Sequence, residues 1–289
     1  MFVITGATGN TGSVAAEALL AAGKKVRVVV RNPAKAKALA EQGAEVFTAD
    51  LSDEAALTRA FEGAEGVYVL SPPDVTLKDF LGERKKLTDG FARVAKAAGV
   101  KHVVLLSSIG SQHKGGTGMI RSTHAAEEAL RATGLPVTFV RAAYFLENWA
   151  AVPQPALKDG VLPTFIAASQ AIPMVAARDI GKAVAQALLD GPRGTRVIEL
   201  AGPVEVKPSD VAAALSKILG KPVNVAEAPL SAVVPTFTSF GVSQNVAELF
   251  RELYEGVANG KVAWQGGGAE LQRGSTTVDQ TLRALTGKP

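Results

Sequence analysis

The chain has 289 residues, 47% of them hydrophobic and 20% charged, which suits a globular protein of one large domain, or of a domain with a smaller partner. It contains no cysteine, which excludes disulfides, thiol nucleophiles and thiolate metal sites; its three histidines, His102, His113 and His124, sit at no metal-ligand spacing, so no metal is expected. The net charge of +4 gathers only in GERKKLTDGF, where the basic run at 84–86 reads as the solvated face of a helix, so no nucleic-acid partner is expected.

The first strand signal is FVIT at 2–5, followed by an Ala/Leu helix near 11–22. VRVVV at 26–30 precedes a helix from about Pro33, and AEVFT precedes one near 53–61. GVYVL at 66–70 leads to a longer helical stretch ending before Gly99, HVVLL at 102–106 to a helix of about 123–133, and VTFVR at 137–141 follows. Short continuous apolar runs alternating with helices predict an α/β fold, a doubly wound parallel sheet covered on both faces. After Trp149 the rhythm breaks: AVPQPALKDGVLPTF carries three prolines, placing a domain boundary near 150. ARDIGKAVAQALLDG and RVIELAG read as a helix and strand returning to the first domain over about 176–203. Residues 151–175 and 204–289, with the helices SDVAAALSKILG and VAELFRELYEGVANG, form a smaller, mainly helical lobe. No apolar run approaches the roughly 20 residues of a membrane span. The N-terminus lacks the basic-then-apolar layout of a signal peptide, so the expected location is the cytoplasm, with no membrane partner.

GATGNTG, with Gly6, Gly9 and Gly12 three apart, follows the first strand and opens the first helix. In a dinucleotide-binding unit the first glycine permits the turn, the second lets backbone approach the pyrophosphate, and the third lets helix and strand pack closely. Gly6, Thr8, Gly9, Asn10, Thr11 and Gly12 are therefore the expected phosphate site. At the end of the second strand an acidic residue selects NAD and a basic one NADP. Arg31 stands there, with Lys35 and Lys37 beyond and no carboxylate, so charge favours NADP(H); the other reading of Arg31 is a plain surface residue. Asp50 and Leu51 end the third strand where adenine would lie, although Asp50, or better Ser52, equally suits a helix N-cap. Ser71 and Pro72 follow the fourth strand beside the expected crevice.

GATGNTG, VVRNP, the DLSD segment and EEALRATGLPVTFVRAAYFLENW (127–149) resemble, as a set and over nearly the whole chain, the NmrA-like branch of the atypical short-chain dehydrogenases/reductases. That resemblance implies a Rossmann domain with a small C-terminal lobe closing over a substrate cleft, and contact of Arg31 and Lys35 with a 2′-phosphate. Members include NADPH-dependent quinone, azo-dye and triphenylmethane-dye reductases, benzylic ether reductases, and regulators that sense dinucleotide.

The Tyr-x-x-x-Lys pair of ordinary short-chain dehydrogenases is missing, because Tyr68, Tyr144 and Tyr254 are followed four residues on by Pro72, Asn148 and Ala258. Many NmrA-like members place a lysine or histidine where this chain has Thr123, with His124 one step on, so both are catalytic candidates. Helical spacing puts His124 on one face with Glu127, Glu128 and Arg131, the pattern of an exposed surface, opposite an apolar side of Ala126, Ala129 and Leu130. Ser107 and Ser108 end the fifth strand, where short-chain dehydrogenases put a substrate-orienting serine; Ser107 is also a cofactor candidate, and turn chemistry is the alternative for the pair. Tyr144, Phe145, Asn148 and Phe237, with Trp149 and Phe240, suit a flat aromatic guest or a seam between lobes.

Two functions follow. One is an NADPH-dependent reductase of quinone, azo or dye acceptors, whose hydride adducts are delocalised, weakly basic anions that water can protonate. The other is a non-catalytic NADP(H) sensor acting through a protein partner. The expected ligand is small and quinone-like, and the expected assembly a monomer or homodimer.

Overall fold

The computed structural model describes residues 1–151 and 157–287. An eight-stranded, wholly parallel sheet runs through the molecule. Its strands are β1 (Phe2–Thr5), β2 (Val26–Val30), β3 (Glu45–Thr48), β4 (Gly66–Val69), β5 (Val103–Ser108), β6 (Val137–Ala142), β10 (Thr195–Ala201) and β13 (Glu270–Arg273). Their spatial order is β13-β10-β6-β5-β4-β1-β2-β3. The central strands β1, β4 and β6 are buried along their whole length, which is why they read as unbroken apolar runs; β3 and β13, at the two edges, are largely exposed.

Alternate strand residues feed two cores. One face packs Ile4, Val28, Tyr68, Val140 and Ile198 under helices α1 (Gly12–Ala21) and α2 (Lys37–Glu41). Its third helix, Ala177–Asp190, is numbered α6 in chain order. The other face packs Val3, Val67, Val103, Leu105 and Phe139 under α3 (Glu54–Phe61), α4 (Phe80–Ala97) and α5 (Arg121–Arg131). The chain reverses its winding between β1 and β4, so a crevice opens at their carboxyl ends, the usual ligand position of such sheets.

A third core, around Trp149, Leu162, Met174, Leu215 and Val257, belongs to the remaining elements. These are a three-stranded sheet of β7 (Tyr144–Phe145), β9 (Ile172–Val175) and β11 (Glu205–Val206), and a parallel pair of β8 (Val161–Thr164) and β12 (Asn224–Glu227). Helices α7 (Pro208–Leu219), α8 (Val233–Ser239), α9 (Gln244–Ala258) and α10 (Val278–Thr286) surround them.

The structure corrects three local readings. Past residue 204 the described residues form four α-helices where the sequence predicts two, and β13 returns to the edge of the large sheet. ELQR lacks an apolar run because an edge strand has little to bury. The N-cap of α3 is Asp53, whose Oδ1 accepts from the Ala56 amide at 2.9 Å; neither Asp50 nor Ser52 caps that helix. The basic run at 84–86 is divided: Lys85 and Lys86 are exposed in i,i+4 and i,i+3 pairs with Asp89 and Glu83, whereas Arg84 turns inward. The proline-rich stretch at the expected boundary includes 152–156, which lie outside the described residues. Among the described residues no helix is long and apolar enough to cross a membrane, and no cluster of three His, Asp or Glu is placed to hold a metal.

Two tests follow from this packing. Helices α1 and α6 touch backbone to side chain at Gly181, where an added Cβ would lie 2.6 Å from the Thr11 carbonyl oxygen and 2.6 Å from Val14 Cβ. Gly181→Ala should lower stability by about 1–3 kcal/mol in urea unfolding, because backbone cannot yield as a flexible side chain would. His102 is buried ahead of β5 with its Nε2 sharing a hydrogen bond with Thr138, and burial lowers its pKa from 6.5 to about 4, helped by Arg196. The unfolded chain binds that proton more readily, so stability present above pH 6.5 should fall as pH drops toward 4. His102→Gln should flatten the slope of urea midpoint against pH in that window.

Candidate active site

β1 delivers the chain to Gly6, whose φ of +61° needs glycine, and the Gly9 amide closes the turn on the Gly6 carbonyl at 2.9 Å. A Cβ on Gly12 would strike that same carbonyl, so the loop folds this tightly only with glycine there. Thr8, Gly9 and Asn10 are exposed at the crevice, while Thr11 points inward. The Thr11 hydroxyl shares a 2.9 Å hydrogen bond with the Tyr68 hydroxyl on β4, and burial pushes the Tyr68 phenol pKa up. Thr11 thus fixes the loop to the sheet.

At the ends of β2 and β3 the structure brings Arg31 and Asp50 together. Ser52 donates its hydroxyl (2.6 Å) and amide (2.9 Å) to Asp50 Oδ1, and these bonds, aided by the charge of Arg31, hold the carboxyl below its usual range. Arg31 and Lys35 are exposed; Lys35 lies in a single turn capped by Asn32, which accepts from the Ala34 amide at 3.0 Å. Leu51 is half-buried against the α3 and α4 core. Beyond β4, Arg84 reaches back from α4 to donate to the Pro72 carbonyl at 2.8 Å, pinning the loop, and the Ser71 hydroxyl is buried without a protein partner.

The next two strand ends carry a polar row. Ser107 on β5, Arg141 on β6 and Glu199 on β10 are in register and continue the face formed by Leu105, Phe139 and Val197. Glu127 descends on this row from α5. Arg141 donates Nε to Glu127 Oε1 at 2.8 Å and Nη2 to Oε2 at 2.7 Å, with both side chains only 3% exposed. Ser107 donates to Glu127 Oε1 at 2.6 Å. Gln265, from the loop before β13, accepts from Arg141 Nη1, and its own amide donates to Glu199 at 2.7 Å.

This corrects the face assigned to α5. Glu127 is not on the exposed surface with Glu128: it is turned into the sheet, where Arg141 neutralises it. His124 is half-buried, its Nδ1 2.7 Å from the Ser111 carbonyl, which fixes the proton on Nδ1. Thr123 is half-buried and shares a 2.6 Å hydrogen bond with the Ser111 hydroxyl. Ser108 donates to the Ile109 carbonyl, a turn role.

The aromatic candidates separate. Tyr144 and Phe145 are successive strand residues and point to opposite sides. Phe145 packs on the α1 and α6 core, whereas Tyr144 joins the third core, 6.2 Å from Trp149 between ring centroids. The Tyr144 hydroxyl sits beside those of Tyr254 and the amide of Asn148, and burial raises its pKa well above the ordinary value. Phe237 stacks on Phe250 at 4.3 Å and stands 6.5 Å from Tyr254, with Phe165 beside both. An aromatic wall therefore runs from Tyr144 through Tyr254 to Phe237. Phe240 is 68% exposed and lies outside it.

Sequence reasoning missed Tyr254, Arg84, Gln265 and the partnership of Glu127 with Arg141. One signal was present: Arg141 is a charge closing the apolar run VTFV, and a buried charge requires a counter-ion.

The residues fit a dinucleotide on two counts, the side-chain-free cradle at Gly6, Gly9 and Gly12 and the orphaned Ser71 hydroxyl beside it. The chain is 33% identical to quinone oxidoreductase 2 of Escherichia coli over 267 residues, covering 90% of this chain and 89% of the other. It is 26% identical over 254 residues to an NAD(P)H azoreductase of Xenophilus azovorans, covering 88% and 86%. The crystal structure of the Escherichia coli NADPH-dependent quinone oxidoreductase in complex with NADPH superposes with a TM-score of 0.83 at 29% identity, covering 99% of this chain and all of that one. The profile of the NmrA-like family matches residues 1–282, and with the glycine cradle and parallel sheet in place the chain belongs to that family.

Proposed function

We propose that this protein is an NADPH-dependent oxidoreductase that passes hydride to a small, electron-poor conjugated acceptor of the quinone, azo or dye type. The observation that carries the reading is the likeness to quinone oxidoreductase 2 across nine-tenths of both chains, joined to the glycine cradle. When bound, the nicotinamide supplies the hydride.

This chain's residues supply position. Backbone N–H groups of the glycine loop at the N-terminus of α1 would hold the pyrophosphate, that of Gly9 being already given to the Gly6 carbonyl. Arg31 and Lys35 take the 2′-phosphate, and Asp50 and Leu51 border the adenine. The Ser71 hydroxyl, with the Pro72 backbone held by Arg84, gains the partner it lacks. Tyr144, Asn148 and Phe237, tied by Tyr254, offer an aromatic wall for the acceptor; Phe145, turned to the opposite side, packs on the α1 and α6 core and takes no part in it. A quinone reduced by hydride becomes a delocalised oxyanion that solvent protonates, so holding the two rings at stacking distance is the main task.

Purified protein should consume NADPH, followed by absorbance, only when a quinone or azo dye is added; tight NADPH binding without acceptor-dependent consumption would replace this reading with a dinucleotide sensor. Arg31→Asp should weaken NADPH binding about tenfold to a hundredfold, the worth of a charge-assisted phosphate contact, and change NADH binding far less. Equal weakening of both in calorimetric titration would remove Arg31 from the 2′-phosphate site. His124→Ala should retain quinone turnover within about tenfold, well short of the 10²–10⁴ expected for loss of a general acid.

A further inference from the structure

A cavity of about 190 Å³ opens beside the aromatic wall, and none of the residues assigned to the dinucleotide lines it. It forms where β8 and β12 end. The two strands pair in parallel as far as Thr164 and Glu227, and the chains then part, one through Phe165 and Ile166, the other through Pro229 and Leu230. The C-terminal half of α9 closes the gap with Tyr254 and Val257. Phe165 and Tyr254, 5.3 Å apart between ring centroids and tilted by 49°, belong to the cavity and to the aromatic wall at once.

Two polar side chains of this lining already have partners. Gln170 donates its Nε2 to the Val257 carbonyl at 2.8 Å, and Glu227 Oε1 accepts from the Ala168 amide at 2.8 Å. What remains is the charge of Glu227. It is exposed, it is the only charged residue lining the cavity, and among the described residues no basic side chain pairs with it. A neutral hydrocarbon or an anion filling this space would draw the carboxylate from water with no bond to replace it. A cation answers the charge, and one wrapped in methyl groups also suits the faces of Phe165 and Tyr254, since aromatic faces attract positive charge. Volume sets the size: at roughly 30 Å³ per heavy atom with its hydrogens, the share of one water in the liquid, the cavity takes about six or seven.

We propose that this cavity is a subsite for a quaternary ammonium arm, carried by an acceptor whose ring lies on the aromatic wall. The inference rests on the reading of the protein as a reductase of conjugated acceptors. The charge recognised sits on the arm and not in the ring that receives hydride, so the reaction leaves it unchanged. Glu227 is then a specificity-determining residue. It takes no part in hydride transfer and acts on the choice among acceptors. Phe165 and Tyr254 join the two parts of the site, because ring and arm meet at them.

Two naphthoquinones separate charge from size. 2-(3-Trimethylammoniopropyl)-1,4-naphthoquinone and 2-(4,4-dimethylpentyl)-1,4-naphthoquinone have arms of one shape, the second with carbon in place of nitrogen. In calorimetric titration of the NADP-loaded protein the cationic arm should bind about tenfold tighter, the joint effect of a surface ion pair and a cation–π contact. Glu227→Gln keeps an acceptor for the Ala168 amide and removes the charge, so the ratio should fall to about threefold. Salt at about 1 M should do the same in the wild type, with no variant needed. Ala228→Leu fills the cavity from its wall and should weaken both armed quinones about tenfold relative to 2-methyl-1,4-naphthoquinone; thermal melting checks that each variant folds. Equal affinity for the two arms in the wild type, binding of neither, or a ratio unchanged in Glu227→Gln would overturn the subsite alone. Absence of NADPH consumption with all three quinones would instead overturn the reductase reading, whatever the ratio of affinities.

Discussion

The end of the parallel sheet that forms the crevice depends on one buried ion pair. Removing a carboxylate and a guanidinium from water costs several kcal/mol each, and only close, fully hydrogen-bonded geometry offsets it. Arg141 and Glu127 meet that condition with two parallel bonds, and each has a further partner, Ser107 for Glu127 and Gln265 for Arg141. Because the pair must be dry and paired at once, β5, β6, α5 and the loop before β13 are held in one arrangement. An apolar substitute would pack as tightly, but would not fix the direction of Ser107 or the reach of Gln265.

The crevice combines that rigid polar floor with a mouth that is nearly bare. Thr8, Gly9 and Asn10 offer backbone, and the side chain that could have crowded them, Thr11, is drawn down to Tyr68. The aromatic cluster of Tyr144, Tyr254 and Phe237 is built by other elements, those around the third core. The proposed hydride transfer would use these two parts separately, the fixed loop for the dinucleotide and the aromatic faces for the acceptor ring.

How much of this was legible in the sequence follows from what each feature owes to neighbours in the chain. The buried strands and the glycine turn depend on local pattern, since FVIT is apolar because β1 is covered on both faces and Gly12 is glycine because Gly6 lies beside it. Glu127 was misplaced because helical periodicity ranks residues by charge, and the partner that reverses its position arrives 14 residues later from a strand. Arg84 deceived in the same way, hidden in a basic run while its neighbours took solvent. β13 left no signal at all: an edge strand with polar side chains is made by the backbone groups it meets, and those belong to β10.

The position of β13 has a consequence for how the protein comes into being. Gln265 closes on Arg141 across 124 residues, and β13 pairs with a strand that ended at Ala201. During synthesis the strands from β1 to β6 can pair, and Arg141 can find Glu127, long before the segment that completes Arg141's hydrogen bonding leaves the ribosome. A chain synthesised only that far has the residues of the glycine loop and of the polar row but not the one that completes the bonding of Arg141. Until Gln265 arrives, that guanidinium N–H has only water to bond.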